Sequence, residues 1–403
     1  MKRLLFLSTW VILFVWVKST VLEAQTLSAP IHLYGLWNDI HPFELTLDAE
    51  LKGQVHFTES GDRIALQGRE TLLGWDLLEI LPEGSSSGTW HLSHIDKGKV
   101  ARWSNYNKSV GATCILDDRP ISVPDLQVKL FQFRSKDGDW YFFLFPAPPA
   151  KWRGIAWSNI HPTPLKVIGS RQDKYLNLDV YDPADDKSFK LYFEHERPFP
   201  RFGWWTSETG IPEKIRFRHK KGVPVQVRKY LDYYREMLVL EPEIEWPAWI
   251  AFASEHLSKA QEDFRKEWQD YKKASGEYKP YQRQSARLYA WVTWSFIRSD
   301  LLSGTLHIAN SWGAPVQSPF LVTPAISRVP SLSDLWAPDP VPKWIQEQVQ
   351  NIPFADKPAV TQPMLELRPD GLYIWQDQPV HIPTAQLKGT LPKESPLYPY
   401  FGK

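Results

Sequence analysis

A chain of 403 residues is long enough for two or three domains, each burying a core of its own. Its net charge of +1 excludes recruitment of nucleic acid or anionic lipid by bulk electrostatics, and 43% hydrophobic with 23% charged residues is the balance of a folded globular protein. The single cysteine, Cys114, excludes an internal disulfide and a thiolate metal cluster, so stability has to come from packing.

Residues 1–24 read as a secretory signal peptide. Lys2 and Arg3 precede an apolar run over residues 4–17 that is too short to span a bilayer, and the segment ends at the small residue Ala24. The expectation is export, to the periplasm or the medium, with no membrane span once the signal is removed.

Residues 31–117 are a succession of short strand-like runs: FELTLD, GQVHFT, RIALQG, TLLGWDLLEIL, TWHLSHI, VARWSNY and GATCIL, separated by the turns ESGD, PEGSSSG and DKGK. Alternating strands at this spacing predict an antiparallel meander closing into a barrel or sandwich. Residues 118–150 read as a connector carrying the hairpin KLFQFR/WYFFLF. A second β-module is expected over 151–235, with strands in PLKVIGS, KYLNLDVYD, SFKLYFEHE, RFGWWTS and EKIRFRHKK. Two parallels point to duplication. GLWNDIHPFEL (35–45) is echoed by GIAWSNIHPTPL (154–165), and RWSNYNKSVGATCIL (102–116) by GWWTSETGIPEKIRF (203–217). The first pair would make Trp37 and Trp157 equivalent.

Beyond Glu241 the pattern changes. Leu257, Ala260, Phe264, Trp268 and Tyr271 recur three or four apart, which predicts an amphipathic helix over 254–273 with Ser254 as N-cap and Gly276 past its end. Strands follow in ARLYAWVTWSFIRSD, LLSGTLHIAN and PFLVTPA. A short helix is expected around VPKWIQEQVQ, then the hairpin MLELRPDGLYIW turning on Pro-Asp-Gly. Residues 240–390 therefore read as an α+β domain, helices on an antiparallel sheet, so that the chain as a whole is mainly β in its first half and α+β after it.

This last stretch resembles the secreted domain of unknown function shared by bacterial peptidoglycan deacetylases and the lysozyme-sensing anti-sigma factor. The resemblance is carried by Pro369-Asp370-Gly371-Leu372, by Ile382-Pro383 and by Leu387-Lys388. Where that family often has Gly-Gly-Ala-His, this chain has Trp312-Gly313-Ala314-Pro315, without the histidine. The resemblance implies a module that accompanies enzymes rather than an active site. The first 240 residues carry no such likeness.

Motifs that could hold chemistry have plainer explanations. Gly84-Ser85-Ser86-Ser87-Gly88 spells a nucleophile elbow, yet it lies between two strands instead of leading a strand into a helix. Glu194-His195-Glu196 alternates across a strand, so Glu194 and Glu196 share one face while His195 points away, and no metal-ligand spacing results. His41 and His161 sit in Ile-His-Pro turns. No catalytic residue, metal ligand or cofactor is assigned. Trp204-Trp205-Thr206 is the one candidate binding cluster: neighbouring tryptophans on a strand face opposite sides, leaving one ring for a sugar, a peptide or an adjoining domain. The expected function is a non-enzymatic binding protein of the cell envelope with a protein or glycan as ligand. An enzyme acting on envelope polysaccharide is the alternative, and the oligomeric state is left open.

Overall fold

The computed structural model of the protein describes residues 30–401 except 82–83, 85, 94–98, 106–110, 124–125, 149–150, 159, 162, 182–187, 195–199, 208–209, 219–222, 233–234, 275–286, 311–314, 351–363 and 376–378; side chains are also left undescribed at 188, 232, 267–274 and 350. The signal segment, Ser85, Pro162, His195, Glu196, the loop 312–314 and the side chains of Trp268 and Tyr271 thus lie outside the described residues. The described residues form two compact units, one ending at Ser122 and one beginning at Val123.

The first unit is a closed eight-stranded antiparallel barrel of β1 (Ile31–Trp37), β2 (His41–Leu47), β3 (Lys52–Phe57), β4 (Arg63–Thr71), β5 (Gly74–Ile80), β6 (Gly88–Ser93), β7 (Val100–Asn105) and β8 (Gly111–Asp117). Each strand pairs with the next, and Gly35 of β1 opposite Leu116 of β8 closes the ring. The Asn38-Asp39 pair of the first Ile-His-Pro motif makes the β1–β2 turn. Both residues take left-handed φ values, 50° and 62°, and the Ile40 N–H donates to the Trp37 carbonyl at 3.2 Å. Asn and Asp tolerate that conformation, which the tight turn from Trp37 to Ile40 in this three-residue loop needs. The run TLLGWDLLEIL is not one strand: Leu72 and Leu73 form the tip between β4 and β5.

The second unit opens with another closed eight-stranded barrel: β9 (Lys129–Ser135), β10 (Gly138–Ala147), β11 (Lys151–Ser158), β12 (Leu165–Gln172), β13 (Tyr175–Tyr181), β14 (Ser188–Glu194), β15 (Phe202–Thr206) and β16 (Pro212–Arg218). Phe217 opposite Phe133 closes this ring. The hairpin read as part of a connector over 118–150 supplies its first two strands, so the module starts earlier than residue 151, and it ends at Arg218 rather than near 235. Without β9 and β10 the sheet would keep two open edges, which a closed barrel abolishes.

Duplication of the module is real, but the Ile-His-Pro motif does not mark it. That motif follows β1 in one barrel and β11 in the other. In the matched closing pairs, β1 corresponds to β9 and β8 to β16, so Trp157 falls two strands away from the place of Trp37. The other parallel holds in register: Ala101 faces Cys114 and Trp103 follows two residues on, just as Gly203 faces Ile215 and Trp205 follows. Two glycines repeat at the same constant spacing. A Cβ on Gly53 would lie 1.7 Å from the Thr46 carbonyl oxygen, and one on Gly154 1.9 Å from that of Phe143. A Cβ on Gly68 would strike Leu51 and Leu77; one on Gly169 would strike the corresponding Trp152 and Leu178. Close approach of the neighbouring backbone excludes a Cβ at Gly53 and Gly154, and side-chain packing crowds one at Gly68 and Gly169.

The remainder of the second unit is α+β and begins before residue 240. A sheet in the order β17 (Val225–Asp232), β18 (Arg235–Pro242), β19 (Arg287–Ile297), β20 (Leu302–Asn310), β21 (Val316–Val322) carries the helix α1 (Pro247–Ala274) on one face. The sheet is not wholly antiparallel: β18 and β19 run parallel, as the helical crossover between them requires. Helix α1 starts at Pro247, not Ser254, with proline at its first position, where a missing N–H costs nothing. Its core face is Ala248, Trp249, Phe252, Ala253 and Phe264, with Leu257 and Ala260 partly buried. Two short helices, α2 (Leu332–Trp336) and α3 (Lys343–Gln350), lead to a three-stranded sheet of β22 (Met364–Arg368), β23 (Gly371–Trp375) and β24 (Val380–Pro383). Helices α4 (Thr384–Leu387) and α5 (Tyr398–Phe401) close its core with Leu387 and Phe401. Ser331 and Asp334 of SLSDLW make a capping box on α2.

Trp157 on the outside of the second barrel packs on the sheet: its ring lies 4.6 Å from His307, which stacks at 5.0 Å and 9° on Trp291. Burial in this apolar seam lowers the His307 pKa to about 3, so the imidazole stays neutral and bonds Thr293 Oγ1 through Nε2 at 2.7 Å.

Two outcomes are expected. Trp249→Ala should destabilise the protein by about 3–5 kcal/mol, whereas Ser254→Ala, at a helix-interior surface position, should stay within about 0.5 kcal/mol in denaturant titration; a loss near 1 kcal/mol at Ser254 would restore it as an N-cap. For His307 the unfolded chain binds the proton at higher pH than the folded one. Its contribution is therefore complete above the ordinary value of 6.5 and is lost as pH falls towards 3. Stability should drop by up to about 1.4 kcal/mol per pH unit across that window, and His307→Gln should flatten the slope. Equal slopes for both proteins would show that His307 is not held neutral.

Candidate functional site

The strand parity of β15 divides the GWWT stretch. Trp205 points into the second barrel and is fully buried, stacked on Phe189 at 5.3 Å and 10°, with the Trp140 ring 4.7 Å away. It cannot serve a surface platform, which corrects its place in the Trp204-Trp205-Thr206 cluster. Trp204 points outward and is 49% exposed, and Thr206 lies half-buried beside it on the same outer face.

The outer face around Trp204 is aromatic. Tyr192 of β14 sits directly opposite Trp204, and Lys214 of β16 directly opposite on the other side. Tyr175 stacks on Tyr192 at 4.8 Å and 20°. Phe202, 51% exposed, carries Lys214 Nζ 4.9 Å over its ring, and Lys174 Nζ lies 5.4 Å over Tyr175 while pairing with Glu194 at 3.2 Å. The Tyr192 phenol is held above its ordinary pKa, first by desolvation and then by Tyr175, so it remains a hydrogen-bond donor at neutral pH. The result is an outward cluster of four aromatic rings, Tyr175, Tyr192, Phe202 and Trp204, with lysine ammoniums over the faces of Phe202 and Tyr175. Such faces stack on the apolar C–H side of a sugar while ammonium and phenol groups meet its hydroxyls.

The first barrel shows that its fold does not need this cluster. The row Asn177–Tyr192–Trp204–Lys214 corresponds, strand for strand, to Asp76–His91–Arg102–Thr113. There the row is polar, with His91 Nδ1 2.8 Å from Asp76 and Arg69 3.4 Å from the same carboxylate.

The interiors differ as well. Inside the first barrel Glu79 is fully buried and accepts the indole N–H of Trp90 at 2.7 Å and of Trp103 at 2.9 Å, together with the Ser87 hydroxyl. Gly88 leaves room for this, since a Cβ there would lie 2.6 Å from Trp103 Nε1. In the second barrel the corresponding residues are Val180 and Phe189. The carboxylate network gives way to the Phe189–Trp205 stack, and Trp205 Nε1 is left without a partner.

Ser87 of the GSSSG stretch is tied to Glu79, and Ser86 Oγ reaches the Gly88 carbonyl at 3.4 Å, so the elbow reading has no support there. Glu194 pairs with Lys174 on the barrel surface. His41 is buried with Nδ1 3.4 Å from Glu59, and His161 packs against Trp140 at 5.2 Å with its N–H donating to Ser158 Oγ at 3.2 Å. His41 and His161 belong to different units. Among the described residues no group of three or more His, Cys, Asp or Glu could hold a metal ion, and no helix is long and apolar enough to cross a membrane. Tyr175, Tyr192, Phe202 and Lys214 were missed in the sequence. The signal was present in the alternation of KYLNLDVYD and SFKLYFEHE, which puts tyrosines on the polar parity.

No family model, no curated protein and no solved structure matches the chain.

Glu79→Val, which strands three buried donors, should cost about 3 kcal/mol or more. Glu79→Gln, which keeps an acceptor for the indoles, should cost clearly less in the same urea titration. Equal losses would mean that shape rather than hydrogen bonding holds Glu79 in place.

Proposed function

We propose that the protein is an exported, non-catalytic binding protein of the cell envelope, and that the Trp204 face of its second barrel engages a glycan. The observation that carries this is the contrast between the two barrels: a common scaffold presents Asp76, His91 and Arg102 in one copy and Asn177, Tyr192 and Trp204 in the other. Rings exposed to 49% and 51% at Trp204 and Phe202 add nothing to the barrel core, so a binding role explains them better than packing does. Export rests on the signal-like first 24 residues. The envelope setting rests on the resemblance of residues 240–390 to a domain that accompanies peptidoglycan-modifying enzymes.

The test is pull-down and calorimetry of the mature protein on purified envelope glycan. The Tyr192→Ala, Trp204→Ala double variant should bind about tenfold or more weakly. Its melting temperature should stay unchanged, because both rings lie outside the core. Undiminished binding would remove the platform from the site, and acetate release from the glycan by the purified protein would replace the binding reading with an enzymatic one.

A further inference from the structure

A second concavity lies in the α+β part of the second unit. Helix α1 covers β18 to β21 but leaves the same face of β17 open, so Gln226, Arg228 and Tyr230 form an exposed floor beside Val239 and Glu241 of β18. The stripe Ile250, Ser254, Leu257, Ser258 and Gln261 of α1 makes one wall, and Ile297, Arg298 and Ser299 at the end of β19 make another. Trp246 stands where the chain turns from β18 into the helix. The groove encloses about 1720 Å³, more than the roughly 300–1,000 Å³ of a small-molecule pocket.

We propose that this groove holds an uncharged polysaccharide chain. Four features select that occupant. The size fits a chain of several rings and exceeds what one small metabolite fills. The charges nearly balance: Arg228 and Arg298 stand against Glu241, Glu243 and Glu245, and Arg228 Nε already pairs with Glu241 at 2.5 Å, so a polyanion gains nothing. The lining offers side chains that both donate and accept, Gln226, Ser254, Ser258 and Gln261, together with the aromatic side chains of Tyr230 and Trp246. Vicinal hydroxyls over apolar C–H faces need that mixture.

The fourth feature argues against a peptide. An extended peptide would add to the open edge of β17, yet the first half of that edge is taken. The Val128 N–H donates to Val225 O at 3.2 Å, the Val227 N–H donates to Leu126 O at 3.3 Å, and Gln127 bridges Gln226. Strand addition at the groove is thereby blocked over that half. An acyl chain is disfavoured by the exposed arginine, glutamines and serines.

The inference stands on the groove's own side chains and not on the Trp204 platform, and the experiment separates the two. Binding of cello-, xylo- and N-acetylglucosamine oligosaccharides, monosaccharide to hexasaccharide, is measured by calorimetry in the Tyr192→Ala, Trp204→Ala protein, where the barrel platform is removed. At least one series should still bind, with affinity rising about tenfold or more from disaccharide to hexasaccharide. That binding should be lost both on Tyr230→Ala, which removes a ring already 42% exposed, and on Ser258→Trp, which fills the groove from the helix wall. Melting curves of the variants establish that each remains folded. Absence of any chain-length-dependent binding in the platform-deleted protein overturns the proposal. So does binding that survives both groove variants, or occupation of the groove by members of a random peptide library in place of the sugars.

Discussion

Closing an eight-stranded sheet on itself leaves an interior just wide enough for side chains, and this constraint governs both barrels. Every strand gives alternate residues to that interior, so the inward parity has to supply bulk without voids. In the first barrel Trp37, Trp90 and Trp103 meet edge to face, with Trp37 5.2 Å from Trp103 and 5.8 Å from Trp90. In the second, Phe133, Trp140, Phe142, Phe189 and Trp205 do the same work. With one cysteine in the whole chain, no cross-link supplements this packing. Trp37, Trp90, Trp103, Trp140, Trp152 and Trp205 are taken up by this packing, and among the barrel rings only those on the outward parity face away from it.

The duplicated copies have filled the same interior by different chemistry. Where Glu79 gathers two indole N–H groups and a serine hydroxyl, Val180 offers nothing polar. The space that Gly88 leaves open for Trp103 is taken by the Phe189 ring. Each solution is internally consistent: glycine accompanies the carboxylate, and phenylalanine accompanies valine. Mixing them would bury a carboxylate without donors or crowd an indole against a ring. A buried charge with a full set of hydrogen bonds is tolerated where a half-satisfied one is not. Glu366 in the three-stranded sheet repeats the first solution, accepting from Trp375 Nε1 at 3.0 Å, from Arg368 and from Ser295.

Two-residue periodicity made most strands legible in the sequence, and with them the β-rich halves and the duplication. What was not legible was closure, and the displacement of the Ile-His-Pro parallel from equivalent strands. The 118–150 segment carries prolines at both ends and so reads as a connector, but only the closed ring shows that its hairpin is the first of eight strands. Ile-His-Pro recurs because turns reuse the same residues, so its repetition reflects local turn chemistry rather than common position. The true marks of equivalence, Gly53 with Gly154 and Gly68 with Gly169, depend on how closely the strands approach, which no single-sequence pattern displays. Ser254 resembles an N-cap only while Pro247 is read as a breaker instead of a first helical residue. Trp204 and Trp205 were separable by parity from the start; which of them faces water depended on the direction in which β15 joins the ring.

Strand parity also assigns core packing and surface chemistry to separate residues of one strand. On β15 the inward Gly203 and Trp205 are fixed by the barrel, while the outward Phe202, Trp204 and Thr206 are bound by no packing requirement of its interior. The same division runs through β13 and β14, where Leu176, Leu178, Leu191 and Phe193 are core and Tyr175, Asn177 and Tyr192 are surface. An outward residue can therefore change from arginine to tryptophan, as between Arg102 and Trp204, without disturbing the ring that holds it. Duplication of such a module supplies two scaffolds of the same stability logic whose outer faces are free to diverge, one towards ion pairs and the other towards stacked rings. The aromatic face is accordingly a property that the second copy carries in addition to its fold, since the first copy closes the same ring with a polar row in its place.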